Sequence, residues 1–392
     1  MHAVPQPFAH AMMPQARHDE LSRQNFTVTL KLFMTENVYP ADEVVYEKVA
    51  KPKFVRENKR EPKNHHEVRK LMLREPTTQM WSSIARTLQE TLWYQVGECV
   101  DRQIDDLKAS GAALTRKPKG TLTLDPSFVA PRYVTAVDIH AMPGNYTSNA
   151  SEDDVYAGAV FDRGAYYYTK GQSGPKLESA GRGVIATLQH KFPNLKPRRI
   201  LDLGCAIGTS TLPLVDTFPD AEVYGIDIGA GLLRYGHARA EYCGRKAHFS
   251  LQNAEATNFP DGYFDLVVSA GMFHETSRKA TANILKECHR LLAPGGVTLH
   301  SDVPHNDTMG PHDAWMLSWD AHFNAEPYWE TWNGMRTRDI MTAAGFASGK
   351  IGEAWRGRDA YGNNMLFDTA KDDPRDTNKG QLGRGLMWWG QK

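Results

Sequence analysis

A glycine-rich turn near the middle of the chain has residue types that suit close contact with a small charged ligand. The apolar run Ile200–Leu203 leads into the turn Gly204–Gly208, and a segment with helical character follows. Glycine lets the backbone approach a ligand closely, and the start of a helix offers free backbone N–H groups. Asp202 lies two residues before the first glycine, where its carboxylate would repel a pyrophosphate but would suit a cationic amino-acid ligand.

A second carboxylate follows the next apolar run along the chain. The run Glu222–Asp227 is typical of a strand that ends in an acid, and a carboxylate there can accept hydrogen bonds from both hydroxyls of a ribose. The turn has glycine, alanine and glycine at positions 204, 206 and 208, so it lacks the G-x-G-x-x-G spacing of a dinucleotide site. These details argue against a dinucleotide ligand.

Strand-like runs alternate with helical patterns from residue 198 to residue 302, and this order predicts how the two acids are positioned. Five runs indicate parallel strands, and a closing antiparallel pair follows near the end of the chain: 200–203, 222–227, 248–252, 264–270, 297–302, 350–355 and 386–390. The alternation predicts an α/β fold with a doubly wound, mostly parallel, seven-stranded sheet. In such a sheet, ligands bind at the carboxyl ends of the strands.

Four successive segments resemble the motifs of class I S-adenosylmethionine-dependent methyltransferases, and especially those of the UbiE-like small-molecule group. In chain order they are LDLGCAIGTS, VYGIDI, QNAEATNFPDGYFDLVVSAGMFHE and ILKECHRLLAPGGVTLHSD. The resemblance covers about residues 198–302, and it implies a Rossmann-like fold with S-adenosyl-L-methionine as the cofactor. It also implies methyl transfer by in-line displacement to a nucleophilic O, N, S or C of the acceptor.

The resemblance implies a role for each residue at the strand ends. Asp202 and the turn backbone would hold the methionine moiety, and Asp227 would bind the ribose. Ile228, Asn253 and Ala254 would contact adenine, and Ser269 would line the methyl-transfer side. The implied cofactor-binding residues are Asp202, Gly204, Ala206, Gly208, Asp227, Ile228, Asn253, Ala254 and Ser269. Two of them depart from the family pattern. Ala206 replaces a glycine and is tolerated if its φ is negative, and Asn253 replaces the usual aspartate but keeps an acceptor.

Three histidines near the ends of the fourth and fifth predicted strands are candidates for a catalytic base. His274 follows the fourth strand, and His300 and His305 surround the end of the fifth. A histidine titrates near neutral pH and can accept a proton from an acceptor, although structural hydrogen bonding or packing is an alternative for each of them. We predict no metal site here, because His300, Asp302 and His305 lack an evident fourth ligand.

Aromatic and acidic residues on either side of the core are candidates for contact with the acceptor. The candidate substrate-binding residues are Tyr168, Glu275, Trp315 and Trp319. The two tryptophans belong to the aromatic segment 312–332, which would suit a planar or apolar acceptor but could equally form a core or a dimer contact. Residues 137–144 place His140 beside a Pro-Gly turn, which indicates a positioned loop with a packing role favoured over catalysis.

The chain divides into three predicted parts. Residues 1–22 are rich in proline, histidine and methionine and are predicted to be disordered, whereas residues 23–150 are predicted to form a mainly helical cap or dimerisation domain. Within this domain, an apolar residue at every fourth position predicts one long amphipathic helix over about residues 76–107. Residues 151–392 are predicted to form the methyltransferase domain, with an inserted mobile loop over about residues 357–385.

Composition and charge bear on partners and location. The chain has 46 lysines and arginines and 46 aspartates and glutamates, so its formal net charge is zero and we expect no nucleic-acid partner. The four cysteines include no C-x-x-C pair, and no apolar run reaches membrane-spanning length. These features predict a cytoplasmic protein with reduced thiols and no membrane contact.

The sequence therefore predicts an S-adenosylmethionine-dependent methyltransferase that acts on a small, planar or apolar acceptor. A homodimer formed through the N-terminal extension is a further expectation. Two alternatives stay open. One is methyl transfer to RNA or protein, and the other is a non-catalytic partner subunit that binds S-adenosylmethionine.

Overall fold

The computed structural model describes residues 6–306, 309–358, 364–367 and 385–392. Its strands are β1 (Thr121–Thr123), β2 (Arg199–Leu203), β3 (Glu222–Asp227), β4 (His248–Leu251), β5 (Phe264–Ala270), β6 (Leu292–Asp302), β7 (Ile351–Arg358), β8 (Asn364–Phe367) and β9 (Gly385–Gln391). Its α-helices are α1 (His18–Phe33), α2 (Tyr39–Val45), α3 (Lys51–Asn58), α4 (His65–Met72), α5 (Pro76–Asp101), α6 (Ile104–Leu114), α7 (Arg132–Thr135), α8 (Tyr156–Tyr168), α9 (Ser179–Lys191), α10 (Thr211–Thr217), α11 (Ala230–Tyr242), α12 (Arg278–Leu291), α13 (Pro311–Phe323), α14 (Trp329–Asn333) and α15 (Thr337–Ala343). None of these described helices is both long and apolar enough to cross a membrane.

Within the described residues, nine strands form one sheet in the order β1-β4-β3-β2-β5-β6-β9-β7-β8. Neighbours from β1 to β6 run parallel, whereas β9 pairs antiparallel with both β6 and β7. The seven predicted strands form the middle of this sheet, which confirms the doubly wound, mostly parallel fold. Short strands extend both edges, and β8 lies inside the predicted inserted loop. Residues 359–363 and 368–384 of that loop lie outside the described residues.

Helices cover both faces of the sheet, which explains why its central strands are continuous apolar runs. On one face, Ile200 of β2 packs in a cluster with Val184 and Leu188 of α9. On the other face, Leu201 packs in a cluster with Ile284 of α12. Adjacent residues of β2 therefore serve opposite faces, as the pleat of a strand requires. This packing fixes the carboxyl ends of β2, β3 and β5 beside one another.

The N-terminal helices pack around α5, the long helix that the apolar repeat predicts. Leu88 of the repeat packs in a cluster with Trp315 of α13, and Leu92 and Val96 pack in a second cluster with Tyr167 of α8. The repeat therefore builds the core, although its first member, Met80, is 54% exposed. The helix ends at Asp101, earlier than predicted, and the separate helix α6 begins at Ile104.

The segment before α1, predicted to be disordered, is instead packed onto the sheet domain from residue 10 onward. His10 Nε2 lies 2.9 Å from Asp162 Oδ2, and the Tyr235 hydroxyl donates a 2.9 Å hydrogen bond to the Met12 carbonyl. Helix α1 begins at His18, inside the segment predicted to lack structure. Composition missed this because the partners lie 152 and 223 residues further along the chain.

Helix α8 joins the N-terminal helices to the sheet domain, and two of its glycines allow close contact on both sides. A Cβ on Gly158 would lie 2.2 Å from Tyr235 of α11, and a Cβ on Gly164 would lie 2.1 Å from Trp93 of α5. Glycine costs about 1 kcal/mol of helix propensity relative to alanine, so its presence here indicates that close packing matters more. The two parts of the chain consequently share one continuous core.

Replacing Gly164 by alanine is expected to destabilise the protein, because the added methyl group overlaps the indole of Trp93. Overpacking of this kind costs about 1–3 kcal/mol, which exceeds or cancels the gain of about 1 kcal/mol in helix propensity. Urea unfolding followed by circular dichroism measures the change. Gly111→Ala on α6 is the matched control, since a Cβ there would meet Met12 at an ordinary 3.5 Å. Equal effects from the two substitutions would contradict the close packing of α8.

Candidate functional site

A cavity with about 850 Å³ of open space, which includes solvent at its mouth, lies at the carboxyl ends of β2, β3 and β5. The strand order reverses at β2, because β3 and β4 lie on one side of it and β5 and β6 on the other. Doubly wound sheets bind ligands at such a switch point. The lining residues are Tyr133, Val134, Tyr146, Phe161, Gly204, Ala206, Thr209, Ile226, Asp227, Ile228, Gln252, Asn253, Ala254, Ala270, Gly271, Met272, Glu275, Thr276 and Ile284. They come from the strand ends and from the segments that precede the sheet.

The glycine turn after β2 forms one wall of the cavity in a left-handed conformation. Gly204, Ala206 and Gly208 have φ values of +63°, +47° and +81°. The condition of a negative φ, under which alanine is tolerated at position 206, is therefore not met. This conformation costs alanine about 1–2 kcal/mol, and the Asp227 carboxylate offsets the cost by accepting a 2.9 Å hydrogen bond from the Ala206 N–H. A Cβ at Gly204 would lie 2.8 Å from Met272, so the cavity wall requires glycine there.

The two predicted acids occupy different positions relative to the cavity. Asp227 lines it, and its carboxylate accepts a second 2.9 Å hydrogen bond from the Gly229 N–H. Asp202 is fully buried behind the turn, where it accepts hydrogen bonds of 2.6 and 2.7 Å from the hydroxyls of Ser210 and Thr211. Burial raises the pKa of Asp202 to about 6 and also raises the pKa of Asp227. Asp202 thus orders the turn from behind, whereas Asp227 faces the ligand space.

The residues predicted to contact adenine lie on the same cavity. Ile228, Asn253 and Ala254 line it beside Asp227. The Asn253 side-chain oxygen accepts a 2.9 Å hydrogen bond from the Glu255 N–H, which fixes the loop after β4. A glycine cradle, a carboxylate, an apolar side chain and an amide therefore surround one space. This set of residues fits the cofactor expected from the sequence.

Ser269 and His300, predicted to face the ligand, are instead paired in the interior of the sheet. The Ser269 hydroxyl lies 2.8 Å from His300 Nδ1, and the Thr298 hydroxyl lies 2.7 Å from Nε2. Burial lowers the pKa of His300 to about 3. Both ring nitrogens are engaged, so the structure contradicts the prediction of His300 as a base. Ala270 lines the cavity where Ser269 was expected.

The other two predicted bases do not line the cavity either. His305 is buried, with Nδ1 3.2 Å from the Trp332 carbonyl and Nε2 3.1 Å from the Thr337 hydroxyl. His274 Nδ1 lies 2.7 Å from the Asp302 carboxylate. Burial opposes protonation of His274, but this carboxylate outweighs it and raises the pKa of His274 well above its usual range. A proton held so firmly makes His274 a poor base, so these placements argue against both predictions.

Of the four predicted substrate-binding residues, the structure places only Glu275 on the cavity. Trp315 and Trp319 pack in the core of the N-terminal helices, and the Trp319 indole donates a 2.9 Å hydrogen bond to the Ser82 hydroxyl. The Tyr168 hydroxyl accepts a 3.1 Å hydrogen bond from Asn324 behind the cavity. The aromatic density of these segments therefore builds the core, which is the alternative that the sequence left open.

Several aromatic and apolar cavity residues were missed by the sequence reasoning. They are Tyr133, Val134, Tyr146, Phe161 and Met272. The first three lie in segments without helical or strand periodicity, so no motif identifies them. A tyrosine within the polar stretch 145–154 was the one signal that could have drawn attention to Tyr146.

An ionic cluster lies behind the cavity wall around Glu275. Its Oε1 is 3.1 Å from His140 Nε2 and accepts a 3.2 Å hydrogen bond from the Tyr146 hydroxyl. His140 Nδ1 contacts the carboxylate of Glu326, which is fully buried.

The pKa values of the cluster reflect both burial and the neighbouring charges. Burial lowers the pKa of His140, but the two carboxylates outweigh this effect and raise it to about 10. Burial, with Glu275 nearby, raises the pKa of Glu326 to about 7. Burial also raises the pKa of Glu275, but the nearby His140 outweighs this effect and holds the pKa of that carboxyl well below its usual range.

Comparisons with known proteins identify the central part of the chain. Residues 200–296 match the family model described as a methyltransferase domain. A demethylmenaquinone methyltransferase of Thermus thermophilus is 40% identical over 108 residues, which are 28% of this chain and 48% of that protein. A trans-aconitate 2-methyltransferase of Methylobacterium radiotolerans is 36% identical over 131 residues, which are 33% of this chain and 47% of that protein. A solved S-adenosylmethionine-dependent methyltransferase from Methanosarcina mazei is 20% identical over 52% of this chain and 96% of that chain, with a TM-score of 0.37.

The chain therefore carries a class I S-adenosylmethionine-dependent methyltransferase domain. The matched residues include the glycine turn, Asp227 and Asn253, which lie on the cavity or around it. S-adenosyl-L-methionine is the cofactor of this domain, so the family and the cofactor expected from the sequence are confirmed. The chain spans about half the length of the two curated relatives.

Lowering the pH is expected to destabilise the protein partly through His300. Its imidazole stays neutral in the folded state down to about pH 3, whereas in the unfolded chain it takes up a proton below its ordinary pKa of 6.5. Stability is therefore lost as the pH falls from about 6.5, by about 2 kcal/mol at pH 5. Urea unfolding at pH 7 and pH 5 measures this loss.

His300→Gln is expected to reduce the loss by about the same 2 kcal/mol, because glutamine does not titrate. His190→Gln is the matched control, since His190 is exposed on α9. If His300→Gln keeps the full wild-type loss, His300 is not held neutral in the interior.

Proposed function

We propose that this chain transfers a methyl group from S-adenosyl-L-methionine to a small-molecule acceptor. The proposal is carried by one arrangement: Asp227, Gly204 and Ala206 line the same cavity as the aromatic residues Tyr146 and Phe161. One part of this cavity suits a nucleoside with a cationic amino-acid portion, and the other part suits an apolar or planar molecule.

The cofactor side is proposed to work by fixed geometry. Asp227 would bind the ribose, Ile228 would pack on the adenine, and the Asn253 side chain with the Ala254 backbone would meet the adenine amine. Asp202 would act on the methionine moiety through the turn that it orders by its bonds to Ser210 and Thr211. Bound S-adenosyl-L-methionine would supply a methyl group on a sulfonium, ready for in-line displacement.

The acceptor side is proposed to contribute orientation and exclusion of water. Tyr133, Tyr146, Phe161 and Met272 give this wall an aromatic and apolar character, which supports a planar or apolar acceptor. The two curated relatives are named for small molecules, a demethylmenaquinone and an aconitate. Since none of the three predicted histidines lines the cavity, we assign the chain no histidine base and attribute the rate to proximity and alignment.

We also propose that the chain works in the cytoplasm and forms a homodimer through its N-terminal helices. The region from α1 to α5 exposes several large apolar side chains: Phe26, Phe33, Val44, Val49 and Met80. Joined into one patch, such side chains would favour an interface. The four cysteines are free, as in a reducing compartment. Sedimentation velocity is expected to give twice the chain mass of 43.9 kDa, and a value of one chain mass would refute the homodimer.

Asp227→Asn is expected to weaken S-adenosyl-L-methionine binding at least tenfold, or about 1.4 kcal/mol, because a neutral amide binds ribose hydroxyls less strongly than a carboxylate. Isothermal titration calorimetry with the purified chain measures the change. Asp220→Asn is the matched control, since Asp220 is exposed at the turn before β3 and is expected to leave binding unchanged. Unaltered affinity in Asp227→Asn would refute this assignment of the ribose site.

A screen of candidate metabolites with release of S-adenosylhomocysteine as the readout tests the activity itself. Turnover with a small planar or apolar compound is the expected result. Turnover with RNA or protein alone would favour the macromolecular alternative. Tight cofactor binding without turnover on any substrate would favour a non-catalytic partner subunit.

A further inference from the structure

Four buried polar atoms without hydrogen-bond partners meet beside the cavity. They are Nδ1 of His140, Oε2 of Glu275 and both carboxylate oxygens of Glu326. Glu326 is 0% exposed, so its oxygens cannot reach bulk solvent. An unpaired buried polar group costs about 1–3 kcal/mol, and a charged one costs more. A ligand that takes several lone pairs at once would remove this cost.

We propose that His140, Glu275 and Glu326 form a binding site for a divalent metal ion. One ligand atom from each residue lies within 4.8 Å of the ligand atoms of the other two. Glu275 lies at Nε2 and Glu326 at Nδ1, so an ion bound to one ring nitrogen at about 2.0–2.2 Å requires the carboxylate at the other nitrogen to turn toward it. The three residues come from distant parts of the chain, so no sequence motif marks the site.

The backbone holds His140 in place at a conformational cost. His140 and Ala141 have φ values of +58° and +56°, two consecutive left-handed residues that are not glycine. The His140 carbonyl accepts 2.8 Å hydrogen bonds from the side chains of Gln89 and Trp93, both on α5. Strain of this kind costs about 1–3 kcal/mol per residue and is found at functional sites. Helix α5 thus presents the imidazole to the two carboxylates.

A protonated His140 does not account for the arrangement. An imidazolium faces one oxygen of each carboxylate, but Oε2 of Glu275 and Oε2 of Glu326 still lack partners. The contact between Nδ1 and Glu326 is an ion pair without hydrogen-bond geometry. A metal ion with four or more coordination positions can bind these oxygens together with one imidazole nitrogen.

The ligand set favours a transition-metal ion such as Mn²⁺ or Zn²⁺. One imidazole nitrogen and two carboxylates suit these ions, whereas Mg²⁺ and Ca²⁺ prefer oxygen ligands only. The Tyr146 hydroxyl, which donates to Glu275, supports the ligand from outside the site. Three protein ligands leave at least one coordination position open.

The open position is proposed to face the cavity, because Glu275 lines it. This step rests on the proposed function. An acceptor oxygen bound there would be oriented for methyl transfer, and the pKa of an acceptor hydroxyl would fall without a protein base. The acceptor class is therefore a compound with a phenol, enol or carboxylic acid group.

Titration of the full chain with MnCl₂, after treatment with EDTA and desalting, tests the site. The electron paramagnetic resonance signal of free Mn²⁺ reports binding, and one equivalent is expected to bind. Glu326→Gln keeps the side-chain shape and is expected to weaken Mn²⁺ binding at least tenfold. Circular dichroism checks that this variant is folded, and Glu275→Gln serves as a second variant if it is not.

Glu330→Gln is the matched control, because Glu330 belongs to a separate cluster with His65 and His66. Loss of Mn²⁺ binding in Glu330→Gln alone, or no binding by the wild-type chain, would overturn the proposal. Undiminished binding by a folded Glu326→Gln variant would overturn it as well. A wild-type chain that binds Mn²⁺ but not S-adenosyl-L-methionine would refute the proposed function and leave the metal site in place.

Discussion

The carboxylate of Asp227 is the interaction on which the cavity depends, because it joins two loops from neighbouring strands. It accepts the N–H of Ala206 from the turn after β2 and the N–H of Gly229 from the loop after β3. Parallel pairing aligns the strand ends, and this one buried group then fixes the loops that extend from them. A buried carboxylate needs such partners, so the conformation of each loop is tied to that of the other.

The N-terminal helices complete the site in addition to covering it. Helix α5 holds the His140 carbonyl, and the loop that contains His140 and Tyr146 brings both side chains to Glu275. The distance between these helices and the sheet is set by α8, whose glycines let Trp93 and Tyr235 pack against it. The proposed acceptor side therefore depends on packing outside the matched methyltransferase domain.

Sequence reasoning succeeded where local pattern determines structure and failed where distant segments meet. The central strands, the glycine turn and the positions of Asp227 and Asn253 follow from apolar runs and motif order within about 100 residues. The roles predicted for His300 and Trp315 were wrong because residue type does not reveal which face of an element is buried. A role for Glu326 could not be predicted, because its partner His140 lies 186 positions earlier and no local pattern links the two residues.

The packing of the N-terminal segment against α8 and α11 has a consequence for how the chain folds. Tyr235 bonds to Met12 across 223 residues, and His10 meets Asp162 across 152. During synthesis the ribosome releases the segment before helix α1 long before its partners on α8 and α11 exist. Contacts of such long sequence separation form slowly, because loop closure must precede them. The segment that contains Met12 therefore stays uncovered until α11 is made, and a chaperone of the expression host can bind it during that interval.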